Sequence, residues 1–341
     1  MNTKKIGSGT YVLSEPPVIL GNAAVVGKME KEGPLGVYFH HWERDEYCGE
    51  DSFEKAESHL QKEAMKYAFQ EAGIPANGVE FMFAGDLLNQ CIGSNYSLRD
   101  SGIQYFGLYG ACSTMVEGLI LACMALDGGF AERCAVMTSS HFCSSERQYR
   151  FPLEYGSIRP RSSQWTVTGA GCAVLASSGT GIRVKRFCPG AMVDMNITDM
   201  ANMGAAMAPA AALTLKRFLD DTRHRPEDYD LILSGDLGAI GARLLRELLA
   251  GDGIDLADRY ADCGMMIYDP QVQHVHAGGS GCGCCASVLC GYVLPLMRAN
   301  RWKRVLVMAT GALMSPVSMM QGESIPGIAH LVELCTEEVT D

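Results

Sequence analysis

Residues 103–140 read IQYFGLYGACSTMVEGLILACMALDGGFAERCAVMTSS. The stretch opens apolar and aromatic, turns at Gly110-Ala111-Cys112-Ser113, and predicts a helix as far as Leu126. Asp127-Gly128-Gly129 ends that helix, and Cys134 to Thr138 predicts a buried strand. Cys112 then falls at the turn into the helix, where unpaired backbone N–H groups and the helix dipole favour an anion. A thiol held there is pushed toward thiolate, the form that attacks carbonyl carbons. The plainer reading, a small buried packing residue, also stands, because the chain has 14 cysteines.

Outward from this unit, composition narrows the function. The 341 residues can hold one large or two medium cores. An apolar content of 48% suits a tightly packed α/β protein. No apolar run reaches the ~20 residues that span a bilayer. The N-terminus MNTKKIGSGT lacks the apolar core of a signal peptide. Cys282, Cys284 and Cys285 crowd together without zinc-site spacing, so no metal is expected, and the cysteines read as reduced packing residues. A net charge of −11 argues against nucleic acid. A local basic pocket is still available from Arg147, Arg150, Arg159 and Arg161.

Along the chain, residues 1–50 predict a short β start and then a polar, mobile or partner-facing loop around His40-His41. Ser52 to Ala72 predicts a helix capped by Ser52 and stopped by Gly73. Val79 to Ala84 predicts a strand, and 87–96 a connection. His141 to Gln164 reads as an irregular insertion covering a site. Residues 165–175 predict two strand pieces around a Gly169-Ala170-Gly171 bend, and 183–187 another strand. Further helices are expected at 203–219, 242–249 and 282–298, with strands at 230–234 and 305–309.

A repeat runs through this order. Phe81-Met82-Phe83-Ala84-Gly85-Asp86-Leu87 and Leu231-Ile232-Leu233-Ser234-Gly235-Asp236-Leu237 are both apolar strands ending in Gly-Asp-Leu. The Cys112 turn, helix and strand is echoed by Gly278–Gly283, a helix and Val305–Ala309. Such a duplication predicts two α/β halves, 1–180 carrying Cys112 and 181–341, with a site where they meet.

With these features the chain resembles the thiolase and ketoacyl synthase superfamily. The matching stretches are GACSTMVEGL (110–119), VTGAGCAVLASSG (167–179) and RVLVMATGALMSP (304–316), spread from about Ser52 to Leu334. Within it the chain is most similar to the stage V sporulation protein AD family, on EPPVILGNAAVVGKMEKEGPLG (15–36), GEDSFEKAE (49–57) and HVHAGGSGCGCC (274–285). The resemblance implies a thiolase-like fold, two pseudo-duplicated βαβ halves in five α/β/α/β/α layers. It implies a homodimer joined through strands near the nucleophile. It ties the chain to dipicolinic acid and its movement into the developing spore, alongside membrane-embedded stage V sporulation proteins. The expected place is cytoplasmic, peripheral to the spore inner membrane.

Carried over residue by residue, the superfamily nucleophile falls on Cys112. Condensing enzymes also need a His just after the strand ending at Ser234-Gly235-Asp236, and this chain has none there. His276, in the Gly-rich turn 276–281, resembles the thiolase form of another catalytic residue. The second catalytic Cys of a thiolase, near Ala309–Ala312, is absent. The implied reading is a binding protein on an enzyme scaffold, with Cys112 as vestigial nucleophile and no cofactor. Its ligand site would draw on Cys112, His141, Arg159, Arg161, Asp236 and His276, with calcium left open as a companion of dipicolinate. Two alternatives remain: a ketoacyl-synthase-like acyltransferase with Cys112 as acyl acceptor, and a purely structural or assembly role.

Overall fold

The computed structural model describes residues 4–149 and 159–336. Ten strands carry the fold: β1 Val18–Val26, β2 Phe81–Gly85, β3 Gln104–Leu108, β4 Arg133–Ser140, β5 Gly169–Ala176, β6 Ile182–Cys188, β7 Leu231–Ser234, β8 Tyr260–Asp262, β9 Arg304–Ala312 and β10 Gly327–Cys335. They lie side by side as β8-β7-β9-β10-β6-β1-β5-β4-β2-β3. Divided between β6 and β1, this gives β1-β5-β4-β2-β3 and β6-β10-β9-β7-β8, the same order five strands on. The strand directions match as well. β5 and β10 are antiparallel to both neighbours, while β4-β2-β3 and β9-β7-β8 are parallel. The two Gly-Asp-Leu sequences therefore occupy equivalent strand ends.

The two groups of strands join through Val18↔Arg183 and Ile19↔Ile182. Hydrogen bonding thus runs through both halves in one 13-stranded network, which includes the short strands Lys5–Ile6, Thr10–Val12 and His41–Trp42.

Seven helices matter for the site: α1 Phe53–Ala72, α2 Ile92–Leu98, α3 Thr114–Asp127, α4 Phe142–Tyr149, α5 Met203–Thr222, α6 Gly238–Gly251 and α7 Cys282–Val288. α1 covers the outer face of the first half and α5 with α6 that of the second. α3 and α7 lie between, which gives the five layers. α1 begins where Ser52 Oγ accepts the Lys55 N–H and ends at Gly73, with φ of 67°. Its Ala56, Leu60, Ala64 and Ala68 are fully buried and form one stripe toward β1 and β5. Truncating Leu60 to Ala would cost ~2–5 kcal/mol.

The middle layer explains the crowded Gly and Cys residues. A Cβ on Gly283 would lie 2.4 Å from Gly169 O, and one on Gly171 2.4 Å from Ala286 O. α7 thus lies on the backbone of β5, and only small residues fit. All 14 cysteines are free, and all except Cys143 are buried.

Four local expectations are corrected. Gly169-Ala170-Gly171 lies inside the continuous strand β5 and makes no bend, its glycines serving the close helix approach. The 141–164 segment contains α4, and its residues 150–158, Arg150 among them, fall outside the described residues. The 282–298 helix passes through a π turn at Leu289–Val293. The polar 40–46 loop is tied down, since His41–Trp42 pair with β1 and His40 Nδ1 accepts the Ala24 N–H at 3.2 Å. Among the described residues, no helix is long and apolar enough to cross a membrane.

Candidate functional site

Between β3 and α3 the chain turns back sharply. Ala111 holds φ of 50°, a strained conformation for a residue with a Cβ. Side chains lock the turn: Thr114 Oγ1 accepts the Gly110 N–H at 3.0 Å and donates to Ala111 O at 2.6 Å, and Ser113 Oγ donates to Gly110 O at 2.7 Å. The second half presses against it, since a Cβ on Gly311 would lie 2.4 Å from Gly110 O. Cys112 is therefore presented at the seam of the two halves.

There it borders a cavity of about 390 Å³, within the range of small-molecule pockets. The first half contributes Leu87, Tyr109, Cys112, Glu146, Tyr149 and Gln164. The second contributes Asp199, Met200, Met203, Ser280 and Met314. The phenol groups of Tyr109 and Tyr149 hydrogen-bond at 2.8 Å, and Tyr149 donates onward to Leu87 O at 2.8 Å. Gln164 is locked by donating to Asp236 O at 2.6 Å and Gly279 O at 2.9 Å, which fastens the two halves beside the cavity.

Behind Cys112 lies Asp236, fully buried. It accepts the Gly281 N–H and the Thr310 hydroxyl, each at 2.9 Å. Burial pushes the Asp236 carboxyl up to about 7, against the opposing Gly281 N–H and Thr310 hydroxyl bonds. Burial first, and the Asp236 charge second, push the Cys112 thiol well above its ordinary value. Both effects oppose the thiolate that the turn alone would favour. The Ser113 and Thr114 N–H groups are also taken by Gly110 O and Ala111 O, which weakens the turn as an anion site.

The structure gathers few of the other residues predicted from sequence. Asp236 does not line the cavity but backs its wall. Arg159 reaches it only indirectly: it pairs with Glu146 at 2.6 Å, donates to Gln164 O at 3.3 Å, and stacks over Trp165 at 4.7 Å. Arg161 and His276 are exposed and outside the lining, with His276 in a left-handed turn of φ 55°. Arg147 pairs with Glu54. Among the described residues, the charged side chains at the lining are therefore the carboxylates Glu146 and Asp199, not a basic cluster.

His141 is buried on another side, stacked on Phe53, and burial lowers its basicity to about 4. Glu46, His141 and Cys143 bring ligand-type atoms within 4.8 Å of one another. Yet His141 Nδ1 accepts the Cys143 N–H at 3.2 Å, which leaves Nε2 to donate to Glu46 O at 2.9 Å. Both ring nitrogens are occupied, so this group is built as a structural tie.

Sequence reading missed Tyr109, Tyr149, Gln164, Glu146 and Asp199. Tyr109 alone had a signal, its place one residue before the Gly110 turn. The others come from connections that only the fold brings together.

Comparisons with known proteins agree with this geometry. The fold matches OleA of Xanthomonas campestris, solved as a single-site variant, with a TM-score of 0.62, 13% identity and coverage of 95% of this chain and 100% of that one. It also matches 3-oxoacyl-[acyl-carrier-protein] synthase III from Aquifex aeolicus VF5, with a TM-score of 0.57, 13% identity and coverage of 93% and 99%. These likenesses establish a thiolase-like fold. A curated relative, Stage V sporulation protein AD of Bacillus subtilis (strain 168), is 40% identical over 327 residues, 96% of each chain. The Stage V sporulation protein AD family model matches residues 7–335, and the chain belongs to that family.

Proposed function

We propose that this chain binds dipicolinic acid in the seam cavity and takes part in its uptake into the developing spore, using a thiolase scaffold without its catalysis. One observation carries the reading: a cavity of about 390 Å³ stays open at the seam beside Cys112, whose thiol is pushed well above its ordinary value by burial first and the Asp236 charge second. The lining suits a flat ring, with the Tyr109–Tyr149 pair and the soft thioethers of Met200, Met203 and Met314. Asp199 disfavours a bare dianion, whereas Glu146 is balanced by Arg159. Calcium carried with the ligand fits better, because it takes carboxylate oxygens.

The proposal includes a homodimer and membrane-embedded stage V partners. β3 ends the row of strands and exposes half of Phe106, at 49%, near the site, which supports pairing there. The chain would then work at the spore inner membrane through its partners.

The test is calorimetric titration with dipicolinate, with and without calcium, and with benzoate and acetyl-CoA as controls. Saturable dipicolinate binding, strengthened by calcium and weakened in Asp199→Asn, supports the reading. No dipicolinate binding, together with an acetylated Cys112 by mass spectrometry, returns the site to acyl transfer.

A further inference from the structure

Two surface segments of the second half meet at the mouth of the cavity. Val193 and Gly327 exchange backbone hydrogen bonds at 2.9 and 2.8 Å, Ile325 N–H donates to Ile197 O at 2.8 Å, and Leu313 N–H donates to Pro326 O at 2.8 Å. Residues 189–202 and 313–326 therefore stand side by side on a fixed frame. Their inward side chains, Val193, Ile197, Met314 and Met319, pack on the core around the fully buried Ile325. Their outward side chains are apolar too: Met192 is 66% exposed, Met195 58%, Val317 59% and Met320 80%. The same segments supply Asp199, Met200 and Met314 to the cavity lining, and Asp199 is itself exposed, so the mouth opens beside this face.

Large apolar side chains left together in water mark an interaction surface, and thioethers suit one because they adapt to the partner's shape. Charge tells which partner. Residues 187–215 and 305–341 hold neither Lys nor Arg, while Asp194, Asp199 and Glu323 are exposed on the same two segments as the methionines. An acidic rim around a soft apolar patch complements a cationic amphipathic element and repels an anionic lipid headgroup. We propose that this methionine-rich face docks a basic amphipathic helix of a protein partner. The helix lays its apolar stripe on the thioethers and sets Lys or Arg against Asp194, Asp199 and Glu323. Seated there it lies beside the cavity mouth, so partner docking and ligand passage share one surface. The inference goes beyond the ligand assignment and holds whichever small molecule fills the cavity.

The experiment titrates the full chain with a synthetic leucine–lysine peptide whose leucines follow the helical spacing. Controls are its shuffled sequence and its leucine–glutamate counterpart. The leucine–lysine helix should bind one to one. A variant carrying Met192→Gln, Met195→Gln and Met320→Gln should bind it about tenfold more weakly or worse. Met124→Gln, at another exposed methionine on α3, should leave the affinity within about twofold. No binding, equal binding of the shuffled peptide, or an equal loss in Met124→Gln overturns the proposal. The last two would mean attraction to a chain of net charge −11 and nothing more.

Peroxide footprinting of the wild type supplies a second arm should the triple variant fail to fold. Hydrogen peroxide passes an oxygen to an exposed thioether, giving the sulfoxide and water. The bound peptide should slow oxidation of Met192, Met195 and Met320 several-fold and leave the exposed Met124 and Met265 unchanged, read by peptide mass spectrometry; uniform or absent protection overturns the proposal. Two other occupants are scored alongside. Phosphatidylcholine vesicles bound by the wild type but not the triple variant would give the face to lipid. Self-association in sedimentation that the triple variant loses would give it to a second copy, and either result overturns the proposal. Dipicolinate is absent throughout, so a failure here leaves the ligand assignment standing, and a failed dipicolinate titration leaves this inference standing.

Discussion

Asp86 and Asp236 stand at equivalent places in the two halves, each directly after the Gly beyond or at the end of a matched strand, yet their surroundings differ. Asp86 takes its donors from its own connection: Leu88 N–H at 2.9 Å, and Ser94 N–H and hydroxyl at 2.7 Å each. Asp236 takes its donors from distant elements, Gly281 and Thr310. One acid closes a local link, the other faces a thiol where the halves meet. Duplication supplied the carboxylate twice, and the neighbours decide what it does.

That contrast can be broken most directly by stability measurements. Asp86→Ala orphans three buried donors and should cost about 3–5 kcal/mol in urea unfolding. Asp236→Asn keeps an acceptor and should cost less, below ~2 kcal/mol. The reverse order would mean that Asp236, not Asp86, is the structural one.

The pH dependence of stability sharpens the same comparison. Burial raises Asp236 and Glu30 to about 7, and burial with the Asp86 charge raises Glu57 to about 8. A raised carboxyl binds its proton more tightly folded than unfolded. Its contribution is therefore fully present below the unfolded value near 4 and is lost as pH rises through 7 to 8. His141 and His330, both lowered to about 4 by burial, act oppositely, and their contribution is lost as pH falls from 6.5 toward 4. The unfolding temperature should therefore rise as pH drops from 8.5 to about 6.5, by a stability change on the order of a few kcal/mol, and keep rising below that against the histidines' opposing loss. A stability that rises steadily from pH 6.5 to 8.5 would refute the buried acids' role.

Smaller effects test the frame around the site. Ser52→Ala removes the α1 cap and should cost ~1 kcal/mol by thermal melt. His276→Ala should leave dipicolinate affinity within about twofold, since an exposed side chain outside the cavity changes little. A larger loss would bring His276 back to the ligand.

Much of the architecture was legible in sequence because local chemistry marks it. Ser52 and Gly73 bound α1, and the two Gly-Asp-Leu sequences mark β2 and β7. What failed locally failed for tertiary reasons. Gly169 and Gly171 looked like a bend, but they stay in a strand because α7 lies against their backbone. α4 looked irregular because its Ser and Arg residues conceal a helix held by cavity contacts such as Tyr149 to Leu87. The site was least legible. Cys112 was visible from its turn, whereas Gln164, Asp199 and Met314 have no local mark and meet only after folding. The arginines misled because charge in sequence does not reveal a partner such as Glu146.

The strand order also governs how the chain can be made. β10, the last strand described, lies inside the second half between β9 and β6. During synthesis β6, β7, β8 and β9 can all emerge while this central place stays empty. The first half meets the same gap at β5 but fills it by residue 176. A ribosome would therefore release a first half with its strands complete long before the second can close. Until residue 335 is out, β6 and β9 would present unpaired edges, the point at which a nascent chain most needs a chaperone.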